Sequence, residues 1–215
     1  MRIGLIHALS HSPAPVMAAF AELWPEAVLM NLLDDSLSAD LVRDGAITSS
    51  MTQRFLQLAD YAVETGCDAI LFTCSAFGPC IRRVKERYPG IPVLKPNEAM
   101  IEEAAASGAK VGLLATFAPT LQSMPAEFPS FVRLETKLIE GAMAALDRGD
   151  LDEHDRLAAE TARDLADCDV IALAQFSLAR AARRVADTTG LPVLTTPHSA
   201  VRKLRRQLRV TRTAS

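Results

Sequence analysis

Thiols and imidazoles are the side chains best placed to move protons near neutral pH, and this 215-residue chain carries four cysteines and four histidines. One thiol stands out by position. Residues 67–73 read as a buried parallel strand that stops abruptly in small polar residues, Cys74 and Ser75, before a fresh helical pattern from Ser75 to about Tyr88. Ligands of parallel α/β sheets bind beyond the carboxyl ends of the strands, so a cysteine on that turn is placed for chemistry. The N–H groups of a helix start stabilise a thiolate and can cradle a carboxylate. The competing reading is that Cys74 is a small apolar packing residue, as free cysteines commonly are.

The elements that must position this thiol alternate. A strand over 2–6 is followed by a helix from Pro13 to Trp24 and a strand over 27–31. A polar loop over 31–37 enters a short helix, with Asp34 and Asp35 as turn and cap residues. Apolar Met51, Phe55, Leu58 and Ala62 fall at helical spacing, and Gly66 closes that helix. Residues 89–94 read as a turn and a fourth strand, Ile91 to Leu94. Helices are also expected over 98–106 and 151–166.

About a hundred residues later the pattern returns. The run 110–116 echoes 2–8, and Cys168 through Ser177 repeats Cys67 through Ala76. Arg183, Arg184 and Val185 repeat Arg82, Arg83 and Val84; Gly190 to Leu194 repeats Gly90 to Leu94. Correspondences in one order mark an internal duplication. The expected fold is α/β: two pseudosymmetric lobes, each a short, mainly parallel sheet flanked by helices. Residues 1–96 form the first lobe, with a C-terminal helix 198–215 packing back on it, and 97–197 the second. Their strand ends are expected to line a cleft with His7 and Cys74 from the first lobe and Thr116 and Gln175 from the second. Phe117, Pro119 and Met124, in a loop over 117–129, suggest an apolar wall. Cys67 and Cys168, at the strand starts, are packing residues.

Composition narrows the function classes. With 49% hydrophobic residues the chain buries a substantial core, and a net charge of −3 offers no general attraction to nucleic acid or anionic membrane. The basic run 202–209 lacks interleaved aromatics for base stacking. No stretch approaches the roughly 20 apolar residues of a membrane span, and the first residues do not read as a secretion signal, so a cytoplasmic protein with reduced cysteines is expected. His7, His11, His154 and Cys74 lack the spacing of a local zinc site, no metal is expected, and no glycine-rich phosphate loop is present.

On the 73–76 motif Thr-Cys-Ser-Ala, the 111–116 motif Val-Gly-Leu-Leu-Ala-Thr, the paired Gly-Ile/Leu-Pro-Val-Leu segments and the duplication, the whole chain resembles the aspartate/glutamate racemase superfamily, which includes hydantoin racemase, maleate isomerase and arylmalonate decarboxylase. The resemblance implies two lobes, no cofactor, a small carboxylate or carbonyl substrate, and a homodimer or higher homo-oligomer. It implies an isomerase of racemase type in which one thiolate removes a proton beside a carboxylate and a second thiol returns one from the far face. Carried over by position, Cys74 matches the first catalytic cysteine, Thr73 and Ser75 its carboxylate-binding neighbours, and Thr116 and Thr120 polar contacts of the second lobe.

The chain departs from that pattern at Gln175, which stands where the second cysteine belongs. An amide only donates and accepts hydrogen bonds. Cys74 as a single thiol suits a racemase or isomerase with another base, or a decarboxylase or lyase in which it only delivers a proton. It also suits a carboxylate-binding protein without catalysis. His7 and His198 are the candidates for the second base, with Glu98 behind them, and Ser177 adds a hydroxyl to the substrate-binding set.

Overall fold

A computed structural model describes residues 1–107 and 110–213. The chain divides into two compact units, Met1–Pro96 with the chain from Ala200 onward, and Asn97–Ser199.

The first unit contains β1 (Arg2–His7), α1 (Pro13–Leu23), β2 (Val28–Leu33), α2 (Ser36–Asp44), α3 (Ser49–Glu64), β3 (Ala69–Phe72), α4 (Gly78–Arg87) and β4 (Val93–Leu94). The second contains α5 (Glu98–Ser107), β5 (Lys110–Ala115), α6 (Ala118–Ser123), β6 (Arg133–Leu138), α7 (Ala142–Asp147), α8 (Leu151–Ala162), β7 (Val170–Leu173), α9 (Ala182–Thr189) and β8 (Val193–Thr195). The last helix, α10 (Thr196–Thr213), straddles the division. The helix expected over 198–215 thus starts earlier, and its final two residues lie outside the described ones. Past the division, its Arg205 donates to the Leu23 carbonyl at the end of α1, at 2.6 Å.

Each unit is built on a four-stranded parallel sheet, ordered β2-β1-β3-β4 in one and β6-β5-β7-β8 in the other. The strands β1, β3, β5 and β7 are almost wholly buried, as their near-continuous apolar runs require in a sheet covered on both faces. The outer strands β2 and β6 are half-exposed; the exposure shows in the polar residues of β6, Arg-Leu-Glu-Thr-Lys-Leu, whereas β2, Val-Leu-Met-Asn-Leu-Leu, is apolar but for Asn31.

The duplication extends to single hydrogen bonds. Arg2 N–H donates to Asp68 Oδ2 at 2.7 Å, and Lys110 N–H to Asp169 Oδ2 at 2.8 Å. Ile70 and Ile171 N–H groups donate to the Pro92 and Pro192 carbonyls, each at 2.9 Å. A Cβ placed on Gly4 would lie 3.3 Å from Cys67 Sγ, and one on Gly112 the same distance from Cys168 Sγ. Both cysteines are buried, so the matching glycines leave room for a thiol packed against the strand.

Local sequence accounts for the element ends. Thr48 accepts the Met51 N–H at the start of α3, and Gly66, just past its end, takes a φ of 83° that a residue with a Cβ resists. Several boundaries differ from the sequence expectation. The segment after Cys74 first makes a 3₁₀ turn, Ser75–Phe77, and the α-helix starts at Gly78. The strand expected to end at Asn31 continues through Leu33, because its backbone stays in register with β1 out to His7. The 117–129 loop folds instead into α6 and a 3₁₀ turn, Met124–Glu127, with Met124 in the core of the second unit. The strand β6 and helix α7 were not legible in sequence.

Candidate active site

Cys74 sits where β3 ends and the 3₁₀ turn begins, in extended backbone with φ −120° and ψ 117°. Aromatic packing holds that corner. Phe55 of α3 packs against Phe72 and Phe77 with ring centroids 5.4 and 4.9 Å apart, so the residues on both sides of the thiol are anchored to one helix. All four cysteines are free thiols, and Cys74 alone among them is only half-buried. Cys80 is buried, with Thr52 Oγ1 3.5 Å from its sulfur.

Burial pushes the Cys74 thiol above its ordinary value, while the Ala76 N–H and the Ser38 hydroxyl pull the other way with less effect. The helix-start groups expected to stabilise a thiolate are therefore outweighed by desolvation. Sequence reasoning missed Ser38. It lies on α2, donates to the Ala8 carbonyl at 2.7 Å, and reaches the thiol through the fold rather than through any motif. An arginine pins that helix: Arg54 of α3 binds Asp34 at 2.9 Å and Asp40 at 2.6 Å. Asp34 thus serves a structural ion pair, and Asp35 occupies the cap position of α2 with no side-chain cap bond.

His7 ends β1 and is fully buried. Its Nδ1 lies 2.9 Å from Thr73 Oγ1 and its Nε2 3.0 Å from Asn31 Oδ1. Burial lowers its affinity for a proton, partly offset by the Asn31 hydrogen bond. Ser75, the first residue of the 3₁₀ turn, is half-buried.

In the second unit, Gln175 holds the position matching Cys74, at the end of β7 and the start of a 3₁₀ turn, Phe176–Ala181. Its Oε1 accepts the Thr116 N–H at 2.6 Å and the Thr116 hydroxyl at 2.9 Å. Gln175 and Thr116 thus form one pair, with the amide's carbonyl end committed. Thr120 is buried in the first turn of α6, and Ser177 is half-buried in the turn after β7. His198 is half-buried near the start of α10, with Nδ1 2.7 Å from Thr195 Oγ1. Glu98 opens α5 as a first-turn carboxylate.

Among the described residues, one trio of metal-type donors, Glu135, Asp167 and Cys168, brings its atoms within 4.8 Å of one another. The Lys110 ammonium binds Glu135 at 3.0 Å and also Asp167, so the carboxylates are neutralised by a resident cation. No described helix is long and apolar enough to cross a membrane.

A family model described as Asp/Glu/Hydantoin racemase matches residues 15–204. Allantoin racemase from Klebsiella pneumoniae aligns at TM-score 0.76 and 17% identity, covering 98% of this chain and 89% of that one. Glutamate racemase from Francisella tularensis subsp. tularensis SCHU S4, in complex with D-glutamate, aligns at 0.71 and 14%, covering 98% and 82%. Arylmalonate decarboxylase aligns at 0.65 and 17%, covering 96% and 92%. At such identities these likenesses establish the fold. No curated protein sequence matches significantly.

Proposed function

The chain belongs to the Asp/Glu/Hydantoin racemase family, and on that premise we propose that it is a cofactor-independent racemase or isomerase moving a proton at a carbon next to a carboxylate or carbonyl, with Cys74 as the proton-transfer group. The observation that carries this reading is the placement of Cys74: a half-buried thiol at the carboxyl end of a buried strand, held on both sides by aromatic packing.

A proton beside a carboxylate is very weakly acidic, so catalysis must stabilise the developing enediolate as well as supply a base. Backbone N–H groups of the turn after Cys74 are suited to that, with Ser75 beside them. Gln175 contributes no second proton-transfer group, since an amide neither takes up nor releases a proton near neutral pH. Its carbonyl is committed to Thr116, which leaves its amide N–H₂ as a hydrogen-bond donor of fixed orientation.

A second reading follows from the thiol itself. Because burial keeps Cys74 protonated, its resting form is a proton donor, which suits delivery of a proton to an enediolate left after loss of CO₂. The two readings separate in one experiment. Proton NMR in D₂O, with 2-substituted carboxylates, hydantoins, maleate and arylmalonates, is expected to show exchange or isomerisation with wild-type protein and none with Cys74→Ala. Carbon loss from an arylmalonate would select the decarboxylase reading. Binding of these compounds with no chemistry in any would reject both in favour of a carboxylate-binding protein.

A further inference from the structure

Strands β2, β1 and β3 are neighbours in the first sheet, and Asn31 of β2, His7 at the end of β1 and Thr73 just past β3 form a hydrogen-bonded chain across them. The donors and acceptors can be assigned. Asn31 Nδ2 is directed at Met17 Sδ, 3.6 Å away, which leaves its Oδ1 to face His7 Nε2. A carbonyl oxygen only accepts, so Nε2 carries the proton. Nδ1 is then a lone pair, and the Thr73 hydroxyl donates to it. The other acceptor near that hydroxyl, the Ile6 carbonyl, is farther at 3.4 Å.

The second unit provides an internal control. By the duplication, His7 corresponds to Ala115 and Thr73 to Ala174, both buried. The flanking backbone bonds are nonetheless the same: Thr73 N–H donates to the Ile6 carbonyl at 3.1 Å, and Ala174 N–H to the Leu114 carbonyl at 2.9 Å. The sheet therefore closes equally well with two methyl groups at this place. Buried polar pairs are costly unless fully bonded, so the fold alone does not call for one here. The unit that has the pair is the one that has a thiol at the next residue.

We propose that the Asn31–His7–Thr73 chain is a fixed-tautomer positioning device for Cys74, in which His7 locks Thr73 against β1 and does not itself exchange protons with substrate. This rests on the reading of Cys74 as the proton-transfer group. Since the one hydroxyl hydrogen of Thr73 is used on His7, Thr73 has only acceptor capacity left and does not serve as a donor to a substrate carboxylate. Burial of His7, which disfavours the imidazolium, supports the same assignment.

The test is long-range ¹H–¹⁵N NMR of the wild-type protein at pH 7, together with the rate of Cys74 alkylation by iodoacetamide in Thr73→Val and Thr73→Ser. His7 is expected as a neutral ring protonated on Nε2. Thr73→Val, checked for folding by circular dichroism, is expected to shift the His7 Nδ1 resonance and change the alkylation rate about five-fold, the size of one lost hydrogen bond. Thr73→Ser restores both. An imidazolium or an Nδ1-protonated ring at pH 7 would overturn the proposal, as would a Thr73→Val protein with unchanged resonances and unchanged thiol reactivity. Neither readout needs turnover. Failure of the functional reading appears separately, as activity retained in Cys74→Ala, and would reduce the chain to a structural feature.

Discussion

The two units are built from one pattern, with the same strand order, the same paired backbone bonds and the same glycine over a buried cysteine. They differ where β3 and β7 end. The first unit ends in Thr73 and Cys74, with a buried histidine behind them. The second ends in Ala174 and Gln175, with an alanine behind them and the amide tied to Thr116. A duplicated sheet that keeps its strand order and changes its strand-end residues helps to separate what the sheet needs from what the proposed chemistry needs. On the proposed function, the proton-transfer thiol belongs to the first unit, and the matching position of the second holds an amide.

The largest effect that could break this comparison is in the aromatic corner of the first unit. Phe55→Ala removes the ring that holds both Phe72 and Phe77, and is expected to cost about 3–5 kcal/mol in urea unfolding. An unchanged midpoint would show that the thiol's corner is not held there. Next comes the glycine shared by both units. A Cβ on Gly112 would lie 2.9 Å from Leu165 Cδ1, whereas the closest atom at Gly4 is 3.2 Å away, on Ala62. Gly112→Ala is expected to lose about 1–3 kcal/mol of stability, and Gly4→Ala the lower end of that range. Calorimetry of the two variants ranks them.

Copying the second unit's residues into the first sharpens the comparison further. His7→Ala alone leaves the Thr73 hydroxyl only the longer bond to the Ile6 carbonyl at 3.4 Å and removes the Asn31 Oδ1 partner, and Thr73→Ala alone strands His7 Nδ1; each is expected to cost about 1–3 kcal/mol. The double variant, which recreates the Ala115 and Ala174 pairing, is expected to cost less than the sum. Strict additivity in a double-mutant cycle would deny the bond between them.

The smallest expected effect is on pH. Burial lowers the folded-state pKa of His7 below its unfolded value near 6.5, so the unfolded chain binds the extra proton first. Its contribution is fully present above about pH 6.5 and is lost as pH falls below that towards the lower folded value. Wild-type protein should therefore lose stability between pH 7 and 5 more steeply than His7→Ala, and parallel slopes would contradict the assignment.

Much of this was legible in the sequence because a parallel sheet advertises itself: buried runs such as 69–72 and 170–173 are continuous and apolar, and the duplication confirms each element by its copy. The weak elements were those without such runs. Strand β6, Arg-Leu-Glu-Thr-Lys-Leu, is an edge strand whose alternation is diluted by charge, and α6 hides behind Phe117 and Pro119. At the candidate site, Cys74 and Gln175 follow from position in the repeat. Ser38 and Asn31 do not, since they reach their partners from α2 and β2 across sequence gaps of 30 residues to Ala8 and 24 to His7. The direction of the thiol's shift was also hidden, because desolvation depends on how the folded chain buries Cys74, against a cluster that includes Leu37 of α2 and Met51 and Phe55 of α3.

The most direct measurement is solvent-deuterium exchange into a turned-over carboxylate or hydantoin, with Cys74→Ser and Gln175→Ala compared side by side. Proton transfer from the first unit alone predicts a loss of about 10²–10⁴-fold in Cys74→Ser and a change within about ten-fold in Gln175→Ala. Exchange surviving in Cys74→Ser, or lost equally in both, would contradict it.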